Sequence, residues 1–215
     1  MSIQLTWKTP VEWVQRVAER PLQLLEDHAH CELKAAASAQ TLIAKRPRSR
    51  ELVEALGEVA AEEIEHFNRV LKLFFERGGT FGPAQPSPYA EGLVKGWSSR
   101  NGEALLDRLI VSGLIEARSL ERFVLLSRHL PDPELRDFYA ELVPSEAGHR
   151  ALFFQLASQL FPEDRVRERV AEFVELESRV VSRLTFAHRM HSGVLEPADS
   201  DSDSALASSI AVPKS

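Results

Sequence analysis

The sequence predicts an all-α protein. Leu, Ala, Glu and Arg recur at helical spacing, β-branched residues rarely alternate with polar ones, and helix-ending signals such as Gly78-Gly79 and Pro131-Asp132-Pro133 separate the periodic stretches. The chain of 215 residues is 44% hydrophobic and 27% charged, enough for one domain with a real core, which excludes a disordered, collagenous or disulfide-stapled protein. Its one cysteine, Cys31, can form no internal disulfide or Cys-rich zinc site, so a cytoplasmic location is expected. No apolar run approaches the roughly 18 residues that span a bilayer. Met1 to Lys8 lacks the apolar stretch of a secretory signal, so neither membrane insertion nor secretion is expected. The net charge of −6 argues against non-specific coating of nucleic acid but leaves room for a local basic patch.

Element by element, Thr9-Pro10-Val11-Glu12 announces a short N-terminal helix, with Thr9 as N-cap and a stop near Pro21. A long helix follows over 22–45, and a second, capped by Ser49, runs to Arg77, where Gly78-Gly79 supplies a left-handed end. From Gly78 to Gly102 the chain is rich in Gly, Pro and Ser, too long for a tight turn, with one helical turn expected after Ser87-Pro88. The third long helix is expected over 103–130 and the fourth from the Pro131-Asp132-Pro133 junction to Phe161, with a kink at the interior Pro144. Pro162 opens a fifth C-terminal helix ending near His191. Residues 192–215 then read as a disordered Ser/Asp-rich tail behind a single domain over 1–191. Two short-linked helix pairs joined by one long crossover give the connectivity of a ferritin-like four-helix bundle.

The core seams carry charge. Read at steps of three and four, each of the four long helices is apolar except near its middle, where each holds a glutamate: Glu32, Glu63, Glu116 and Glu146. An unpaired buried carboxylate costs several kcal/mol, and the seams contain no Lys or Arg to offset it. They contain histidine instead, one turn on, as Glu63-x-x-His66 and Glu146-x-x-His149, on the same helix face as the glutamate. The two motifs lie 83 residues apart and Glu32 and Glu116 lie 84 apart, the register of a repeated helix hairpin. Four Glu and two His from four helices form the ligand set of carboxylate-bridged di-iron and di-manganese bundles. Four carboxylates balance two divalent cations, and the oxygen-rich set suits iron or manganese better than zinc. Solvated faces or a proton-sharing carboxylate cluster are the bland alternatives, and the matching depth of all six residues in apolar seams speaks against them.

Other features are weaker. His28, one turn before Glu32, reads as a satisfied core histidine ahead of a partner to the ligand, and Cys31 reads as packing. Gly113, one turn before Glu116, leaves room for dioxygen or permits close helix packing. Lys34, Lys45, Arg46, Arg48 and Arg50 fall in a stretch without acidic residues, and Arg165, Arg167 and Arg169 are expected at the same end of the bundle. Lys45, Arg46, Arg48, Arg50 and those three arginines are candidates for a phosphate-binding patch, with a solvated loop as the plainer reading.

The segments His28 to Ala36 (HAHCELKAA), Glu62 to Phe67 (EEIEHF), Gly113 to Phe123 (GLIEARSLERF), Ser145 to His149 (SEAGH) and Pro86 to Gly92 (PSPYAEG) resemble the bacterial tRNA 2-methylthio-N6-isopentenyladenosine hydroxylase family. The resemblance covers roughly 22–189. It implies a ferritin-like non-haem di-iron monooxygenase that hydroxylates the isopentenyl side chain of a modified adenosine beside the anticodon. It also implies that Glu32, Glu63, His66, Glu116, Glu146 and His149 hold two iron ions, with dioxygen as co-substrate, an external electron-donating reductase system and the tRNA anticodon loop as partners. A ferritin-like iron-handling or storage protein and a manganese oxidoreductase are the alternatives. The long crossover and the fifth helix favour a monomer or dimer over a cage.

Overall fold

A computed structural model describes residues 3–45, 49–97 and 103–196. Seven helices make up its regular structure: α1 (Glu12–Val17), α2 (Pro21–Lys45), α3 (Arg50–Glu76), α4 (Pro88–Val94), α5 (Ala104–His129), α6 (Pro133–Leu160) and α7 (Glu163–Val181). No helix among the described residues is long and apolar enough to cross a membrane.

The caps explain the boundaries. Ser49 Oγ accepts from the Leu52 N–H at 3.1 Å, Ser87 Oγ from Ala90 at 3.3 Å, and Asp132 Oδ1 from Leu135 at 3.2 Å, each satisfying an amide that the helix start leaves free. Gly78 closes α3 at φ +82°, a left-handed conformation that costs glycine nothing. α6 runs through Pro144 as one helix. Thr9 is not the cap of α1: its hydroxyl donates to Glu121 Oε2 at 2.8 Å, and α1 begins after Val11 without a side-chain cap.

α2 packs along α3 and α5 along α6, and α4 lies in the crossover between these hairpins, against α7 and α5. The core is divided into two apolar layers. One gathers Leu42, Leu56, Leu106, Ile110, Phe153 and Leu156; the other Trp13, Leu25, Val70, Leu126, Leu135 and Leu142. Each fully buried side chain of this size contributes roughly 1.5–3 kcal/mol. The four seam glutamates and two histidines lie between the layers, so packing on both sides holds a polar stratum in place.

The C-terminal helix is shorter than its sequence pattern suggests. It ends at Val181, and residues 182–196 return as an irregular segment, with Thr185 bridged to Leu195 and the Phe186 N–H donating to Leu195 O at 2.7 Å. Arg122, buried on α5, donates to Met190 O and, at 2.6 Å, to Ser192 O. Two nitrogens of the buried guanidinium are satisfied by carbonyls that the irregular segment turns toward it, which favours that segment. Ser192, expected to begin a disordered tail, is buried and accepts from Trp13 Nε1 at 3.1 Å. The rest of the expected tail, 197–215, lies outside the described residues.

Candidate metal centre

α2 supplies Glu32, α3 Glu63 and His66, α5 Glu116, and α6 Glu146 and His149, all buried. Their donor atoms form two overlapping sets, Glu32, Glu63, His66 and Glu146, and Glu63, Glu116, Glu146 and His149. Within each set the atoms lie within 4.8 Å of one another, and Glu63 and Glu146 belong to both. This is the layout of a two-ion centre with two shared carboxylates. His149 Nδ1 is 2.9 Å from Glu63 Oε1, and His66 Nδ1 is 3.7 Å from Glu63 Oε2 and 3.9 Å from Glu146 Oε1, so both rings turn the same nitrogen inward.

The donors fit cations. Both carboxylate oxygens of Glu63 and Glu146 and Nδ1 of His66 and His149 are buried without a hydrogen bond of good geometry. Native proteins rarely leave so many buried polar atoms unsatisfied, and a site for bound cations is one of the few explanations. Burial, reinforced by neighbouring carboxylates, pushes Glu32 and Glu146 well above the ordinary carboxyl range, and burial beside Glu63 raises Glu116 to about 7. Burial also opposes charge on Glu63 and His149, but their mutual contact outweighs it: Glu63 is held below its usual value and His149 is raised to about 9. Without cations the stratum keeps protons that two divalent ions would displace.

Outer contacts set the orientation of these groups. Glu62 Oε2 lies 2.8 Å from His149 Nε2 and accepts from Ser145 Oγ at 3.2 Å, which fixes the ring with Nδ1 inward. His28 Nε2 pairs with Glu32 Oε1, and its ring stacks on Tyr139 at a centroid distance of 5.4 Å. Burial lowers His28 to about 3. The sequence reading underrated His28, which supports a candidate ligand directly, and missed Glu62, whose position beside Glu63 was its only signal.

A cavity of about 370 Å³ opens beside the centre, between α2, α4, α5 and the 184–192 segment. Ala35, Val111, Ile115 and Phe153 give it apolar walls, and Glu116 alone of the six candidate ligands reaches it. Cys31 packs against the second apolar layer and also lines the cavity, with Sγ 3.8 Å from His191 Nδ1. Gly113 opens no space: a Cβ there would stand 2.9 Å from the Phe154 ring, so close helix packing explains it.

The candidate phosphate-binding residues are distributed differently. Lys45 is exposed at the end of α2, Arg50 pairs with Glu54 at 2.7 Å, and Arg46 and Arg48 lie outside the described residues. Arg165 pairs with Glu103 and Glu168, Arg167 with Glu163 and Asp164, and Arg169 with Asp107 and Glu172. Carboxylates of the fold already engage those three guanidinium groups.

Comparison with known proteins agrees with this architecture. A family model described as tRNA-(ms2io6A)-hydroxylase, MiaE, matches residues 2–192. A tRNA 2-(methylsulfanyl)-N(6)-isopentenyladenosine(37) hydroxylase of Pseudomonas putida is 36% identical over 186 residues, 86% of this chain and 90% of its own length. A Salmonella typhimurium protein of the same name is 30% identical, with 86% of each chain covered. Among solved structures, a Synechococcus protein described as having aldehyde deformylating oxygenase activity superposes with a TM-score of 0.84 at 37% identity. That match covers 89% of this chain and 97% of the other.

Proposed function

The chain belongs to the tRNA-(ms2io6A)-hydroxylase family, and on that premise we propose that it hydroxylates the isopentenyl side chain of 2-methylthio-N6-isopentenyladenosine in tRNA, with two iron ions held by Glu32, Glu63, His66, Glu116, Glu146 and His149. The observation that carries this reading is the buried stratum of unpartnered donor atoms beside an open, largely apolar cavity. When bound, the iron pair supplies redox chemistry with dioxygen: one oxygen atom enters a prenyl C–H bond, the other leaves as water, and two electrons and two protons come from outside.

The chain's own residues position and shield. Glu116 is the candidate ligand on the cavity wall, so the prenyl group approaches along α5. Val111, Ile115 and Phe153 keep water from that path, which strengthens electrostatic interactions inside. Glu62 and His28 hold His149 and Glu32 in register. An external reductase supplies electrons, and the protein works as a monomer or dimer in the cytoplasm, which light scattering and fractionation test.

Mass spectrometry of nucleosides from prenylated tRNA, incubated with the protein, ferrous iron, a reducing system and oxygen, tests the reading. A gain of one oxygen on the prenylated adenosine is expected, together with about two irons per chain by elemental analysis. Unchanged nucleosides would remove the tRNA assignment. The Synechococcus neighbour's described activity favours a second reading, an aldehyde in the same apolar cavity. Formate release from an added aldehyde, with tRNA unchanged, would select it.

A further inference from the structure

The outer part of the cavity carries side chains that the iron chemistry does not use. Trp97 and Arg108 both line it, and the Arg108 guanidinium lies over the indole, 4.5 Å from the ring centroid. Arg165, Arg167 and Arg169 are held by carboxylates, whereas Arg108 makes no ion pair among the described residues. Trp97 Nε1 is buried and has no hydrogen-bond partner among the described residues. A guanidinium held only by an aromatic face is an unusual group to leave on a cavity wall. Lys34 lines the same cavity, with Nζ donating only to the backbone oxygen of Gln85 at 2.9 Å.

The spacing along α5 suits one class of ligand. Arg108 and Glu116 are eight residues apart on the helix, about 12 Å at 1.5 Å per residue. A prenyl chain and the purine that bears it span about that length together. With the prenyl end beside Glu116, the purine reaches the level of Arg108 and Trp97. A planar guanidinium with one face on an indole keeps its other face for a base, and stacking on aromatic or arginine planes is the general means by which proteins hold unstacked nucleobases.

We propose that Arg108, backed by Trp97, is the platform on which the purine of the prenylated nucleotide stacks, with Lys34 reaching a flanking phosphate. The proposal rests on the tRNA hydroxylase reading and names the part of the cavity that holds the purine, while the apolar end beside Glu116 takes the prenyl group that an ordinary adenosine lacks. It gives Arg108 a role in holding the target base, and Lys34 one in sequence-independent attraction to RNA.

The test is binding by the full chain as purified, under anaerobic conditions without reductant, so that no turnover occurs. Fluorescently labelled anticodon stem-loop RNAs, with and without the prenylated adenosine, are titrated at several salt concentrations. R108A, R108K and W97A are each expected to weaken binding of the prenylated RNA about tenfold or more. Binding of the unmodified RNA should change far less, because an adenosine without a prenyl group to bury beside Glu116 stays stacked in the RNA and does not reach the platform, so the preference for the prenylated form falls toward one. Lys34→Ala should weaken both RNAs alike and lower the salt slope by about one. R108K keeps charge and length while losing the planar stacking surface, so it remains informative if W97A folds poorly. If R108K binds both RNAs as the parent does, while the parent hydroxylates tRNA, the platform is wrong and the enzyme assignment stands. A parent that neither binds nor hydroxylates tRNA overturns both.

Discussion

Two groups of buried charge lie in this bundle, and they are finished differently. Arg118 uses all three of its nitrogens: Nε and Nη2 donate to the two oxygens of Glu177 at 2.9 and 3.0 Å, Nη2 also to Trp7 O at 3.0 Å, and Nη1 reaches Glu121 and Thr9. Tyr89 adds a 3.0 Å bond to Glu177. Arg118 and Arg122 balance Glu177 and Glu121. In the Glu/His stratum four carboxylates face two imidazoles, and several oxygens and nitrogens have no partner. Charge burial alone therefore does not mark a functional centre. What separates the two groups is charge balance: the first sets two guanidinium groups against two carboxylates and ties the N-terminal segment, α4, α5 and α7 together, and the second lacks positive charge that the chain itself does not supply.

The sharpest way to break this contrast is to remove a shared carboxylate. Glu63→Ala or Glu146→Ala takes an oxygen pair from both halves of the centre. Iron content is expected to fall from about two per chain to nearly none, with loss of hydroxylation, as read by elemental analysis and nucleoside mass spectrometry. A variant that retains two irons would undo the assignment of that residue.

Arg118→Met attacks the other group. It leaves Glu177 buried and uncompensated, and a loss of about 3–5 kcal/mol in unfolding free energy is expected from denaturant titration. Iron per folded chain should stay at the parent value, because Arg118 is absent from both candidate ligand sets. Should stability hold and iron be lost instead, the two groups are not separate.

A smaller effect is expected at His28, whose Nε2 supports Glu32. His28→Gln should weaken iron binding about 10–100-fold in competition with a chelator, with a lesser loss of stability than Arg118→Met. Equal iron affinity would return His28 to a packing role.

The smallest expected effect is a dependence on pH. Glu116 is raised to about 7, and Glu32 and Glu146 are raised as well, so the metal-free folded state binds more protons than the unfolded chain above the ordinary carboxyl range. Its stability should therefore fall as pH rises from about 5 to 7. Bound iron takes the place of those protons, so the gap in Tm between loaded and metal-free protein should widen over the same interval. A gap that narrows as pH rises would mean that these carboxyls are not the groups the metal displaces.

The candidate ligands were legible in the sequence because the signal is local. A helix buries one face, and a glutamate or histidine at steps of three and four among Leu, Val and Phe shows up as an interruption of that face. Ser49, Ser87, Asp132 and Gly78 were legible for the same reason: a helix end must satisfy its own first amides and last carbonyls. Tyr139 shows where periodicity runs out. Steps of three and four along α6 from Leu135 to Leu142 and Glu146 pass through Phe138, whereas Tyr139 is the fully buried member of the pair, stacked on a histidine from another helix. A one-residue rotation of a helix face is decided by what packs against it.

The sequence by itself determined the helical class, the two hairpins and crossover, and the six residues that share the polar stratum, since each follows from what a single helix must bury or cap. Only the tertiary structure decided where α7 stops, which arginines are already engaged, and that a cavity opens on Glu116. Those depend on groups far apart in the chain, such as Arg118 with Glu177 and Arg122 with Ser192. A buried charge takes whichever partner the packed helices bring within hydrogen-bond reach, and no local pattern records that choice.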